Sequence, residues 1–295
     1  MLLRIGLEVA DRIAAALPAR VAYALADLGG DVWHRMSPSR RAIVRANLAR
    51  VCEATRRPTR GRAFDRLVRD AFRNHARYYL ELSRAPRYDP ARIDEIVAVP
   101  QWPSYEPALR GRAAILVSSH LGNFEPFGIF LGANGLRPLA PVEEIEPRAL
   151  YEYIAARRGG GVIDLVPLAN ARSALSRRMR EGGLAGIIGD RVVGEGGGQR
   201  VTMFGHETEI PVGPAMLAVT HGASVLVGRC LRLGPDRFEA EGQVLEIPGG
   251  GDRRANAVEL TRAIAARFEH DIGEAPEQWW GAFQPFWPDL RESDA

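Results

Sequence analysis

The chain contains no lysine, so all 39 of its basic residues are arginine. An arginine fork grips phosphate or carboxylate better than an ammonium does, but the alanine and glycine content makes a GC-rich genome the simpler source of the total. Cysteine is almost missing. Cys52 and Cys230 have neither metal-ligand nor redox spacing, and read as plain buried thiols in a reducing compartment. No H-E-x-x-H pair or Cys/His cluster occurs, and His206 and His221 stand apart, so no metal is expected. The G-x-S-x-G elbow and reactive-cysteine motifs are absent too, which leaves a covalent intermediate unsupported. Gly196-Gly197-Gly198 is not followed by the Lys-Ser/Thr of a nucleotide phosphate cradle and reads as part of a mobile lid. No apolar run approaches the ~18–20 residues of a membrane span. The first segment carries charges throughout, unlike a signal peptide.

What is present is globular: 295 residues, 46% hydrophobic and 25% charged. No linker, repeat or low-complexity tract interrupts them. The economical reading is a helical N-terminal extension over 1–90 and an α/β core over 91–295. The net charge of +3 hides an asymmetry, because up to Pro86 there are 17 Arg against 8 acids. A basic third of this kind suits an anionic membrane surface. Nucleic acid is not expected, since no helix-turn-helix, zinc-finger or RNA-binding signature accompanies the charge.

Periodicity predicts helices over 2–35, 38–50 and 62–84. The first carries Leu3, Leu7, Ala10, Ile13, Ala14 and Leu17 at helical spacing, and either lies in a membrane interface or packs on the protein. His75, in the third, reads as a satisfied helix histidine. Strands follow at 95–99, 113–118, 136–141, 162–167, 184–189, 200–204, 223–231 and 237–246. Helices are predicted at 124–133, 147–158, 171–182, 213–221 and 254–272. This alternation predicts an α/β fold with a mixed, mostly parallel sheet flanked by helices on both faces. The C-terminal aromatics Trp279, Trp280, Phe283, Phe286 and Trp287 close the core or line a lipid tunnel.

One stretch stands out, Ala113 to Gly128. The apolar run Ile115-Leu116-Val117 breaks into Ser118-Ser119-His120-Leu121-Gly122-Asn123-Phe124-Glu125. Gly122 permits a turn, Asn123 is a good N-cap, and Glu125 falls in a first helical turn. A turn of this kind folds Glu125 back toward His120, a candidate general base with an orienting acid. From spacing alone, a strand-end histidine and a glutamate that merely caps a helix are the commoner arrangement. A second apolar strand ends at Asp190-Arg191. Ligands of open α/β sheets bind outside the carboxyl ends of strands, which would set these residues on one edge with His120. A structural Asp-Arg pair bracing the following loop is an equal alternative. Arg157, Arg158 and Arg177 are candidates for phosphate groups.

His120-Leu121-Gly122-Asn123-Phe124-Glu125 resembles the H-x4-D/E motif of the lysophospholipid acyltransferase superfamily. The closer likeness is to the branch of lipid A late acyltransferases and phosphatidylinositol mannoside acyltransferases. Arg45-Ala46-Asn47-Leu48, Tyr78-Tyr79-Leu80-Glu81-Leu82, Gly189-Asp190-Arg191, Phe204-Gly205-His206, Ile210-Pro211-Val212-Gly213-Pro214-Ala215 and Pro276-Glu277-Gln278-Trp279-Trp280 follow in the order that family has. The likeness spans about residues 40–288. It implies transfer of a fatty acyl group from acyl-CoA or acyl carrier protein to a glycolipid hydroxyl, with no cofactor. The acceptor would be a phosphatidylinositol mannoside or a lipid A precursor. It also implies His120 and Glu125 as catalytic residues, and Asp190, Arg191, Pro211 and Gly213 as substrate-binding. Asn123, Arg157 and Arg158 join the substrate-binding candidates on residue type and position rather than on the family motif. The place of work would be the cytoplasmic face of the cell membrane, as a peripheral protein. The absence of a spanning first helix departs from the lipid A branch. A thioester hydrolase using the same pair, or a non-catalytic lipid-binding protein, are the alternatives.

Overall fold

The computed structural model describes residues 11–12, 16–193 and 196–292. The expected helix over 2–35 is cut at Leu17-Pro18, because a proline disfavours helical geometry in the residue before it. Helix α1 therefore runs Ala19–Met36 behind an extended Pro18. Residues 2–10 and 13–15 of the expected helix lie outside the described residues. Helix α2 (Pro38–Ala54) starts on a proline, and α3 (Gly61–Arg84) is the longest, at 24 residues. The remaining order is β1 (Val97–Ala98), α4 (Trp102–Leu109), β2 (Ala114–Ser118), α5 (Glu125–Ala133), β3 (Pro138–Val142), α6 (Arg148–Ala155) and β4 (Asp164–Pro167). Then come α7 (Leu168–Arg180), β5 (Leu184–Ile188), β6 (Gly198–Met203), β7 (His206–Pro211), α8 (Gly213–His221), β8 (Ser224–Gly234), β9 (Arg237–Leu245), α9 (Arg253–Glu274) and α10 (Pro288–Glu292). No described helix is long and apolar enough to cross a membrane.

Seven strands form one sheet in the order β1-β9-β8-β2-β5-β3-β4, with every neighbouring pair parallel except the β8/β9 hairpin. The predicted mixed, mostly parallel sheet is what forms. Several elements differ from expectation, among them the strand His206–Pro211 and the helix Pro288–Glu292, neither of which was anticipated. Residues 200–204 do not join the main sheet: β6 pairs with β7 in a separate antiparallel ribbon. Phe204 and Gly205, both at positive φ (53° and 78°), make the two-residue turn, the geometry that matches strand twist. Helix α4 was not anticipated, since Pro103 and Pro107 obscure its pattern.

Side chains alternate along β2. Ile115 and Val117 face the core shared with α2, α3, α9 and the C-terminal aromatics, whereas Ala114 and Leu116 face α4 and α5. The N-terminal helices thus share a hydrophobic core with the sheet, and Trp279 and Trp287 sit wholly inside it. Asn47 pins the C-terminal segment there by donating from its amide to Ala282 O and Gln284 O (both 2.8 Å).

A charged knot fastens α3 to the sheet. Glu81, fully buried, takes Tyr23 OH from α1 (2.7 Å), Asn123 Nδ2 from the turn after β2 (2.8 Å) and Arg232 Nη2 from β8 (2.6 Å). Arg232 also donates to Asn74 Oδ1 (2.6 Å). Removing one partner of a buried ion pair leaves the other charged and unmatched, at about 3–5 kcal/mol. Glu81→Ala should therefore lose about 3–5 kcal/mol in urea unfolding, and a loss below about 1 kcal/mol would mean that water reaches Arg232.

Candidate active site

Strands β2 and β5 run parallel in register, with Val117 opposite Ile187 and Ser118 opposite Ile188. His120 lies two residues beyond the end of β2, and Asp190 two beyond the end of β5. Equal offsets from an in-register pair bring them together. His120 Nδ1 is 2.5 Å from Asp190 Oδ1, and the His120 main-chain N–H donates to Asp190 Oδ2 (3.0 Å). Trp279 Nε1 donates to the same oxygen at 3.2 Å. The Asp190 side chain is 1% exposed and that of His120 22%. Burial alone would raise the Asp190 pKa. The Coulombic interaction with His120 and these hydrogen bonds outweigh it and hold the carboxyl below its ordinary value. An ionised Asp190 accepts from Nδ1–H, which leaves Nε2 as the nitrogen that can take a proton.

The turn after β2 is over-determined. Gly122 has φ 66°, and a Cβ there would come 2.1 Å from Cys230 O, so only glycine fits. Its N–H donates to Gln278 O (3.0 Å), Asn123 N–H donates to Cys230 O (2.8 Å), and the His120 carbonyl accepts Trp280 N–H (2.9 Å). Gln278 grips β8 through Arg232 N (2.9 Å) and Arg232 O (3.1 Å). Trp280 meets the His120 ring edge-on at 4.3 Å and stacks on Tyr78 at 4.9 Å. Behind it His75 is pushed down to about 3, first by burial and then by the charges of His120 and Arg40, so it stays neutral.

Glu125 is not the carboxylate on Nδ1, contrary to the expected pairing. It opens α5, fully buried, with its carboxylate 3.7 Å from Arg158 Nε. Burial disfavours the Arg158 charge, yet Tyr78 and Glu125 raise its pKa overall. Asn123 is fully buried and its amide is committed internally, donating to Glu81 and accepting Glu125 N–H (3.0 Å). Arg157 donates to Asp11 (Nε, 2.8 Å) with its guanidinium 3.7 Å from the Tyr153 ring centre, and Arg191 bonds Gln284 Oε1 (2.9 Å) and pairs with Glu143. Pro211 pairs across the ribbon with Gly198, and Gly213 starts α8. Arg177 sits on α7.

Beside the pair, between the sheet and helices α4 and α5, runs a cleft of about 910 Å³ counted out to its mouth. Its floor is one face of the sheet, including Leu116, Ser118, Gly186 and Leu226, and Phe127 and Leu131 cover it. The lining reaches Ser118, two residues before His120, and Phe124, four after it, with the Arg158 guanidinium 5.9 Å from the Phe124 ring centre; His120 and Asp190 themselves do not line it.

A histidine held by an ionised aspartate at the carboxyl edge of a parallel sheet, with an apolar cleft nearby, is an arrangement that can accept and return a proton. Residues 6–287 match the family of bacterial lipid A biosynthesis acyltransferases, and the chain belongs to that family as an acyltransferase. It is 28% identical over 229 residues to the phosphatidylinositol mannoside acyltransferase of Mycolicibacterium smegmatis, covering 76% of this chain and 73% of that one. The protein of the same name from Mycobacterium tuberculosis strain H37Rv is 28% identical over 240 residues, 78% and 73% of the two chains.

The depressed Asp190 pKa has a consequence for acid stability. Below the unfolded carboxyl value of about 4, the unfolded chain binds a proton that the native chain does not. The contribution of Asp190 is thus present above that value and lost as pH falls through the folded pKa. Urea unfolding at stepped pH should show a shallower acid decline for Asp190→Asn than for wild type. Equal slopes would mean that the carboxyl titrates alike in both states.

Proposed function

We propose that the protein transfers a fatty acyl group from a thioester, acyl-CoA or acyl carrier protein, to a hydroxyl of a membrane glycolipid of the phosphatidylinositol mannoside or lipid A type. The observation that carries the reading is the His120–Asp190 contact of 2.5 Å next to the apolar cleft. His120 Nε2 takes the proton of the acceptor hydroxyl as its oxygen attacks the thioester carbonyl carbon. The C–S bond then breaks, and the imidazolium returns the proton to the leaving thiolate. Asp190 fixes the tautomer and stabilises the imidazolium. Glu125 anchors Arg158 in the lining of the cleft, and the cleft holds the acyl chain. Such donors belong to the cytoplasmic face of the membrane, where a peripheral enzyme meets a glycolipid headgroup.

Incubation of the purified chain with acyl-CoA or acyl carrier protein and candidate glycolipids, followed by mass spectrometry, tests the reaction. An acylated glycolipid is expected, and release of free fatty acid alone would make the protein a hydrolase. His120→Ala should abolish transfer, and Asp190→Asn should lower kcat by ~10²–10⁴-fold, the usual range for acid-base catalysis. Glu125→Gln should lower kcat less and act mainly on the KM for donor. A Glu125→Gln loss equal to that of Asp190→Asn would return the orienting role to Glu125.

The cleft floor offers a separate check. A Cβ at Gly186 would meet only Pro138 Cβ, at an ordinary 3.6 Å, so a larger side chain there fills the cleft without displacing the sheet. Gly186→Phe should shift donor preference toward shorter acyl chains, read from kcat/KM across a chain-length series. An unchanged preference would move the acyl chain out of this cleft.

A further inference from the structure

Helix α1 turns its two acids inward. Asp31 is gripped by Arg69 (Nε, 2.6 Å) and Arg73 (Nε, 2.8 Å), and Asp27 by Arg77 (Nε, 2.6 Å), all on α3. The outward face is different. Its exposed positions are Arg20, Val21, Ala24, Leu25, Leu28, Gly29, Val32, Arg35 and Met36, a continuous stripe at three- and four-residue steps. Five of these are large apolar side chains, between 44% and 77% exposed, on a single helix of 18 residues. The only charges are the two arginines, and no acid shares the face. Protein surfaces rarely expose so ordered an apolar stripe without a partner for it.

We propose that this face of α1 seats the enzyme on an anionic lipid surface, with the helix lying in the plane of the headgroups. Charge selects this occupant. A second copy docked face to face would set Arg20 and Arg35 against a surface without a single acid. Anionic headgroups answer both arginines while Val21, Leu25, Leu28, Val32 and Met36 enter the boundary with the acyl chains. The stripe spans 15 steps from Val21 to Met36, about 22 Å along the helix, long enough to fix an orientation. Its inner side reaches toward the site: Trp33 stacks on Phe283 at 5.0 Å and meets His75 at 5.1 Å. His75 in turn meets Trp280, the ring that covers His120. The seat and the histidine are therefore joined by a short run of packed rings. The inference deepens the glycolipid-acceptor reading but stands on α1 alone, so binding is measured apart from catalysis.

Flotation of the full chain with vesicles of equimolar phosphatidylglycerol and phosphatidylcholine, and with phosphatidylcholine alone, provides the test. Wild type should float with the anionic vesicles. Leu25→Ser with Leu28→Ser should weaken that binding by roughly tenfold or more per leucine. Arg20→Gln with Arg35→Gln should reduce it on anionic vesicles only, and added salt should mimic that loss. All substituted positions are exposed, so thermal unfolding should stay at the wild-type midpoint. Transfer to a short-chain, water-soluble acceptor should be unchanged, while transfer to vesicle-borne acceptor falls. Equal flotation of the leucine variant and wild type would overturn the proposal. So would a wild-type dimer in solution that the leucine variant converts to monomer while neither binds vesicles. Flotation of wild type that the leucine variant loses, together with no transferase activity in wild type, would leave the seat standing and remove the acceptor reading instead.

Discussion

The in-register pairing of β2 with β5 is the constraint on which the site depends. Parallel strands deliver residues at equal heights, so two chain exits 70 residues apart in sequence meet at hydrogen-bond distance. A slip of one residue would turn Asp190 to the other face of the sheet and strand His120 without a carboxylate. The rest of the architecture guards that register. Gly189 N–H bonds Ser118 O (2.8 Å) just past the last paired residues, and the C-terminal segment closes over the exit with Gln278, Trp279 and Trp280.

The N-terminal helices serve the same end. Glu81 on α3 is bonded at once to α1, to the turn after β2 and to β8. A buried ion pair is a poor source of net stability compared with apolar packing. Its value here is directional, because one carboxylate with several fixed donors admits a single arrangement of the elements that carry them. The helical region is part of the frame that aims the site.

Much of this was legible in the chain. Alternating apolar runs and helical periods gave the mostly parallel sheet, and the strand-turn-helix around His120 lies where the apolar run broke into polar residues. Gly122 was readable as a turn because glycine permits one, whereas the close approach to Cys230 that forbids a Cβ there is a property of the assembled fold. The partner of His120 was not legible. Glu125 is near in sequence and Asp190 is far, and local spacing carries no information about which strands become neighbours. Asp190 could be set on the same edge as His120 by the rule for open sheets, but its contact with the ring follows from register, which only the assembled sheet defines. The inward commitment of Asn123 was hidden for a related reason: its sequence position does not show that its amide bonds the buried Glu81 and Glu125 N–H. The break at Pro18 was missed because the helical period read up to Leu17 was carried through a proline that steers the residue before it out of helix. The ribbon of β6 and β7 was hidden because its turn holds Phe204 at positive φ, where glycine or asparagine is the usual signal.

Asp190 divides its two oxygens between the ring of His120 and the main chain of the same residue. Backbone and imidazole are therefore clamped to one rigid body, and neither can turn without the other. In the language of proton transfer, a base held this way, as proposed for His120, has a small reorganisation energy, since the dipoles that meet an imidazolium already point at it. Under the proposed mechanism, the temperature dependence of the chemical step would report bond making and breaking rather than a side chain searching for its place.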